Sequence, residues 1–292
     1  MNITILGDGV WGKALKSIID KNSQTVDLLG KGDSSLSTQV LIIAIPTEII
    51  STALGQVTFE GNPIIINTSK GIDSIDHLFP FQIIKKKYPQ AEYYSLAGPS
   101  FAAEVIESMP TIVNLGYGQE RTNLKKMQSL FSSHFFHIKP TEGIEILELF
   151  SAFKNIYAIG SGIASGLGYK ANTKTALTMV AYDEIIKLTK KMSLHLSENS
   201  TFGTLGDLLL TCNSEESRNF KFGKLLAQET VERSLIHINS TVEGYNTLRS
   251  ISFFENKYNC SLPFAKFIHS VVIENNSKNL KENFLNYFTL IN

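Results

Sequence analysis

Apolar positions along this chain follow two different periods. From Asn2 to Glu142, short unbroken apolar runs alternate with stretches of helical spacing, and from Glu145 onward only the helical period remains. The runs Asn2–Leu6 (NITIL), Thr25–Leu29, Val40–Ile45 and Pro63–Asn67 are almost continuous in Val, Ile and Leu, the pattern of strands covered on both faces in a parallel sheet. Between them Ala14, Leu15, Ile18 and Ile19, and then Thr47–Leu54, repeat at helical spacing. Tyr94–Ala97, Thr111–Leu115 and Phe135–Ile138 predict three more strands. The pattern is α/β: an N-terminal Rossmann-like parallel-sheet domain over 1–149, followed by an all-α domain over 150–292.

Composition narrows the partners. The 292 residues are 43% hydrophobic and 18% charged, enough for sizeable cores in a globular protein. Lys+Arg and Asp+Glu both number 27, so bulk charge predicts neither a nucleic-acid partner nor attraction to an anionic membrane, and any anion site must be built locally. Two cysteines, Cys212 and Cys260, fit a reducing, cytoplasmic setting better than a disulfide framework or a zinc cluster. No basic segment followed by an apolar core opens the chain, so no secretory signal is expected. The stretch Phe150–Gly168 is apolar and carries Gly162 and Gly166 at the spacing of membrane helix dimers, but Lys154, Asn155, three serines and four glycines make it a poor span. Close helix packing is the expected use of its glycines, and no integral membrane segment or metal site is predicted.

The chemistry-bearing residues lie at the ends of these elements. NITIL runs into Gly7-Asp8-Gly9-Val10-Trp11-Gly12 and then a helix. In that context Gly7 permits the tight turn, Gly9 lets backbone approach a pyrophosphate, and Gly12 lets the helix sit close to the strand. After the second strand stands Gly30-Lys31-Gly32, with no acid to bind a bare ribose 2′-hydroxyl. Lys31 could instead accept a 2′-phosphate, which tilts the cofactor towards NADP(H), although an exposed loop lysine explains it equally well. Lys70 follows the fourth strand, at a carboxyl end where open α/β sheets bind ligands, and Gly98-Pro99-Ser100 opens a helix where amides can hold an anion. In the helical half, Asp207 and Thr211 are one turn apart, Arg218-Asn219 follow a polar loop, and Glu243 either bonds a cofactor hydroxyl or caps a helix. Lys154 enters an apolar helix, where a lysine either lays its stem down and keeps its head in water or faces an anion.

Together these segments resemble the bacterial-type NAD(P)-dependent glycerol-3-phosphate dehydrogenases. The motifs are GDGVWGKA (Gly7–Ala14), TSKGI (Thr68–Ile72), LAGPSFAAEV (Leu96–Val105), FKNIYAIGSGIASGLG (Phe153–Gly168), GDLLLTCNSEESRN (Gly206–Asn219) and VEG (Val242–Gly244). Their order along nearly the whole chain is far more specific than any one of them. The resemblance implies a 6-phosphogluconate-dehydrogenase-like fold with the active site between the two domains, NADP(H) or NAD(H) as cofactor, and a homodimer. The reaction implied interconverts dihydroxyacetone phosphate and sn-glycerol 3-phosphate, for glycerophospholipid synthesis.

By position, the resemblance assigns Gly7, Gly9, Trp11, Gly12, Lys31, Lys70, Ala102, Arg218, Thr241 and Glu243 to the cofactor. It assigns Lys70, Gly98, Ser100, Asp207, Thr211, Ser217, Arg218 and Asn219 to the substrate. Lys154 corresponds to the family's proton-transferring lysine, with Lys70 and Asp207 as its catalytic companions and Asn155 beside it. That chemistry suits the residue types: reducing a ketone builds negative charge on oxygen, which a cationic acid can neutralise by giving up a proton. Burial and Lys70 would favour release of that proton, and Asp207 would oppose it while orienting the ammonium. One departure is the short connection between the second and third strands, which trims the wall around adenosine. Two other readings stay open: a dehydrogenase of another small hydroxy acid, and a non-catalytic nucleotide-binding sensor.

Overall fold

The computed structural model describes residues 2–22, 24–32, 38–55, 59 and 63–289. Its seven strands are β1 (Ile3–Leu6), β2 (Val26–Leu29), β3 (Val40–Ile43), β4 (Ile64–Asn67), β5 (Glu92–Ala97), β6 (Thr111–Tyr117) and β7 (Phe136–Glu142). They form one sheet in the order β2-β1-β3-β4-β5-β6-β7. Period-two alternation divides each apolar run between two layers. Ile3, Ile5, Ile42 and Ile66 pack with Leu15, Ile18 and Ile19 of the helix Val10–Lys21, whereas Leu6, Leu41, Ile43 and Ile65 face Ile50, Leu54, Ile83 and Ile84.

One pairing departs from the expected parallel sheet. β5 and β6 are antiparallel, with Ala97 opposite Asn114 and Tyr94 opposite Tyr117. The connection between them holds only the five-residue helix Ala102–Ile106, which advances about 8 Å against the roughly 20 Å length of β5. The chain therefore re-enters the sheet at the end it left. β1 to β5 still run in one sense, so the turns after β1, β4 and β5 emerge at a common edge.

The chain forms two compact units, and the division is not a single cut. The sheet unit comprises Met1–Lys70, Leu78–Glu148 and His195–Asp207, and the helical unit Gly71–His77, Leu149–Leu194 and Leu208–Asn292. Asn114 on β6 explains the returning segment: its amide donates to Lys139 O at 2.9 Å and Asn199 O at 2.7 Å, and its oxygen accepts from the Gly203 N–H at 2.6 Å. Residues 71–77 are held in the helical unit through His77, which meets the Ser250 hydroxyl at 2.9 Å and stacks on Phe253.

The helical unit is built around the helix Ile144–Gly166 from Leu149 onward, and the helix is buried without a break from Ile146 to Ala164. A helix apolar on every side can exist in water only inside a core. Two of its glycines, Gly162 and Gly166, face the helix Arg218–Leu225 at backbone distance. A Cβ on Gly162 would lie 2.1 Å from Phe220 O, one on Gly166 2.4 Å from Lys224 O, and one on Gly223 2.0 Å from Ile159 O. The spacing that suggested a membrane motif thus serves a close helix crossing. Among the described residues no helix is long and apolar enough to cross a membrane.

A buried carboxylate fixes a third helix to this core. Glu184, on the helix Ala171–Lys191, accepts from the Tyr157 hydroxyl at 2.9 Å and from the Phe264 and Ala265 N–H groups at 2.6 and 3.2 Å, at the start of the helix Pro263–Val272. Burial pushes its carboxyl up from 4.5 to about 7, against the pull of those hydrogen bonds. The folded chain therefore binds this proton more tightly than the unfolded chain. The corresponding stability is fully present below about pH 4.5 and is lost as pH rises through about 7. Glu184→Gln should accordingly lose less unfolding free energy between about pH 5 and pH 8 than the parent, by up to about 3 kcal/mol, in urea titrations across that range.

Candidate active site

In the sheet unit, β1 ends in the glycine turn. Gly7 has φ +125°, and a Cβ there would lie 2.4 Å from Ala44 O; a Cβ on Gly12 would lie 1.9 Å from Gly7 O. Both positions therefore demand glycine. Gly9 is the N-cap of the helix Val10–Lys21, no side chain caps that helix, and a Cβ on Gly9 would meet nothing within 4 Å. Free helix N–H groups beside open space fit a pyrophosphate. The buried indole N–H of Trp11 has no partner among the described residues, and it too is available to a ligand. Lys31 follows β2 as an exposed residue. Residues 33–37 of the short connection after it lie outside the described residues.

The turn after β4 holds the first cationic site residue. Lys70 Nζ donates to Asp207 Oδ2 at 2.9 Å and to Gly98 O at 3.4 Å, and the Ser100 hydroxyl donates to the same carbonyl at 3.1 Å. The turn after β4, the turn after β5 and the returning segment thus meet around Lys70. A Cβ on Gly98 would lie 2.8 Å from the Val113 backbone, so glycine is required for β5 to end so close to β6. Ala102 is half-buried at the start of the short helix, packed on the sheet core. A turn of π-helix, Phe202–Gly206, precedes Asp207, whose side chain is only 2% exposed.

The support behind Lys70 gave no signal in the sequence. Asn67 Oδ1 accepts the Ser69 N–H at 3.0 Å, while its Nδ2 donates to Ser69 O and to Glu148 Oε1, each at 3.2 Å. Ser69 and Thr68 hydroxyls tie the turn to β3 carbonyl neighbours, at 2.6 Å to Ile45 O and 2.7 Å to Ile43 O. Glu148 also accepts from the Tyr93 hydroxyl and, at 2.9 Å, from the Phe81 N–H. Burial raises its carboxyl to about 7, opposed by these three donors. A lone Asn at a strand end and a Glu in an apolar helix carry no spacing pattern, so only the folded backbone reveals that they meet.

In the helical unit, Lys154 is 4% exposed and its Nζ donates to the Thr211 hydroxyl at 2.9 Å. Thr211 follows Asp207 by one turn of the helix Asp207–Asn213. Asn155 and Asn219 form a buried amide relay. The Gly244 N–H donates to Asn219 Oδ1 at 2.9 Å, Asn219 Nδ2 to Asn155 Oδ1 at 3.0 Å, and Asn155 Nδ2 to Glu243 Oε2 at 3.0 Å. Glu243 begins the helix Glu243–Leu248, and a Cβ on Gly244 would lie 2.5 Å from Asn155 O. Ser217 is the N-cap of the helix Arg218–Leu225, accepting from the Phe220 N–H at 3.3 Å. Arg218 is exposed and makes no side-chain hydrogen bond or ion pair among the described residues, and Thr241 is exposed.

Comparison with known proteins identifies the family. The family description "NAD-dependent glycerol-3-phosphate dehydrogenase C-terminus" matches residues 144–281, and its N-terminus counterpart matches residues 32–123. A protein named glycerol-3-phosphate dehydrogenase (NAD(P)+) from Malacoplasma penetrans is 32% identical over 311 residues, covering 92% of this chain and 91% of its own. The chain belongs to the NAD-dependent glycerol-3-phosphate dehydrogenase family. A protein of the same name from Acaryochloris marina is 30% identical, covering 92% of this chain and 90% of its own. The fold matches the crystal structure of glycerol-3-phosphate dehydrogenase from Coxiella burnetii with a TM-score of 0.86 at 21% identity, over 97% of this chain and 98% of that one. The N-terminal family match begins beyond the glycine turn, so in this glycerol-3-phosphate dehydrogenase family member the turn is recognised from its own geometry.

The amide relay makes Asn219 a structural residue whatever else it does. Asn219→Asp keeps the acceptor for Gly244 but sets a carboxylate oxygen against Asn155 Oδ1. With no substrate present, it should lower stability by about 1–3 kcal/mol in urea unfolding, because a buried acceptor is left unpaired.

Proposed function

We infer that this chain is an NAD(P)-dependent glycerol-3-phosphate dehydrogenase, interconverting dihydroxyacetone phosphate and sn-glycerol 3-phosphate and so serving glycerophospholipid synthesis. The observation that carries the reading is the buried Lys154 held by Thr211, in a family member that also retains the Lys70–Asp207 pair and the unpaired Arg218. The sheet unit is the dinucleotide-binding part, with Gly7, Gly9, Trp11 and Gly12 at the pyrophosphate and Lys31 and Ala102 as further cofactor contacts; Thr241 and Glu243, of the helical unit, are assigned to the cofactor by the family reading. Bound NAD(P)H supplies the hydride that reduces the carbonyl carbon. Lys154 gives a proton to the ketone oxygen as that oxygen gains charge, leaving a secondary alcohol, and recovers the proton from solvent. Thr211 fixes the ammonium so that a proton points at substrate rather than along the helix. Lys70 adds positive potential, and Asp207 holds Lys70 in place at 2.9 Å.

Arg218 is the phosphate anchor in this reading. Its free guanidinium can bind two phosphate oxygens at once, beside Ser217, the remaining Asn219 N–H and the positive end of the helix Arg218–Leu225. Gly98 and Ser100 are further substrate contacts in this reading. A hydroxy acid's carboxylate could pair with the same guanidinium, so it is family membership that disfavours the second dehydrogenase reading. Absorbance at 340 nm should fall when purified protein meets dihydroxyacetone phosphate with NADH or NADPH. Lys154→Met should lower kcat by about 100-fold or more while dinucleotide binding persists. Near-normal turnover in that variant would remove Lys154 from the mechanism.

Two coarser properties follow from the same family reading: a homodimer, and a cytoplasmic location in keeping with the two free, buried cysteines. Light scattering of the purified protein should give about twice the 32.4 kDa chain mass, and a monomer at micromolar concentration would refute the dimer.

A further inference from the structure

In dinucleotide-binding folds the residue after the second strand meets the adenosine ribose. A carboxylate there accepts from a bare 2′-hydroxyl, and a cation accommodates a 2′-phosphate. In this chain the position is Gly30, which has no side chain, followed by the exposed Lys31. The space is nevertheless charged. A Cβ built on Gly30 would lie 3.0 Å from Asp8 Oδ2 and 3.3 Å from Asp8 Cγ. The Gly7 N–H donates to Leu29 O at 2.9 Å, which brings the glycine turn beside the end of β2, and Asp8 is the next residue along. Its carboxylate therefore stands where a side chain from position 30 would begin. It is not used on the helix that follows, whose N-cap is Gly9 and which no side chain caps.

We propose that Asp8 reads the adenosine ribose in this enzyme, in place of the acid that the end of β2 lacks, and that it makes the chain prefer NAD(H) to NADP(H). The exposed carboxylate offers two acceptor oxygens to a ribose 2′-hydroxyl. A 2′-phosphate in the same place meets a like charge at short range, and like-charge juxtaposition is an effective way to reject a ligand. Lys31 pulls in the opposite direction. As an exposed cation on a flexible stem it is screened and weakly positioned, whereas Asp8 is carried on a turn that Gly7 and Gly12 hold rigidly. The inference rests on dinucleotide binding at that turn.

Calorimetric titration of NADH and NADPH into the parent, Asp8→Asn and Lys31→Ala proteins tests it. The parent should bind NADH about tenfold or more tightly than NADPH. Asp8→Asn keeps the shape and removes the charge, so that ratio should contract by about tenfold, chiefly through tighter NADPH binding, and the ratio of kcat/KM for the two cofactors should follow. Lys31→Ala should leave the preference for NADH in place. Asp8 is exposed, so unchanged thermal unfolding of Asp8→Asn is expected and excludes misfolding as the cause. A parent that binds NADPH as tightly as NADH, or a ratio unmoved in Asp8→Asn, would overturn the proposal. Failure of the parent to bind either dinucleotide would overturn the assignment of the glycine turn itself, and the proposal with it.

Discussion

Burying the ammonium of Lys154 is the constraint on which the helical unit depends. Removing a full charge from water costs several kcal/mol even after relaxation, so the surrounding residues must be fixed accurately enough to return that cost. The unit meets the requirement by making the lysine-bearing helix its innermost element. Gly162, Gly166 and Gly223 bring the helix Arg218–Leu225 into backbone contact with it. Glu184 ties Tyr157 to the start of the helix Pro263–Val272. With both neighbours held this closely, Asn155 and Asn219 can join their amides at 3.0 Å and carry the order on to Glu243 and Gly244. The close glycine crossing is backbone contact, and the side-chain hydrogen bonds that follow it orient polar groups that solvent would otherwise satisfy.

The sheet unit solves a related problem with different means. Lys70 sits on a turn, the least constrained kind of segment, yet it must hold its ammonium within 2.9 Å of Asp207. Asn67, Ser69 and Thr68 fix the turn from within, and Glu148 fixes Asn67 from behind. Asn114 does the equivalent for Asp207 by fastening the returning segment to β6 and β7. Neither Asn makes chemistry of its own. Both convert backbone polar groups that would otherwise be buried and unsatisfied into rigid supports for charged side chains.

The carboxyls of Glu148 and Glu184 show how far this strategy goes. Both are buried, both are raised to about 7, and both accept two backbone or side-chain donors or more. A neutral carboxylic acid can also donate, so such groups can serve as satisfied core elements without a cationic partner. Glu148 stands behind the Lys70 turn through Asn67, and Glu184 behind the lysine-bearing helix through Tyr157.

Sequence alone determined the elements and their kind. Strand and helix positions, the change of period near residue 142, the glycine turn and the start of the helix at Arg218 were all legible, because each depends on side chains close together in the chain. The membrane-like glycines were rightly read as packing surfaces, since Lys154 and Asn155 made lipid the costlier environment. What only the tertiary structure decided involves partners far apart in sequence. It decided the antiparallel β5–β6 pair, the return of residues 195–207 to the sheet unit, the support of Lys70 by Asn67 and Glu148, and the placing of Asp8 against Gly30. Hydrogen bonds and charge proximity depend on distance in space, and no spacing rule along the chain encodes which distant residues a crossover or a helix crossing will bring together.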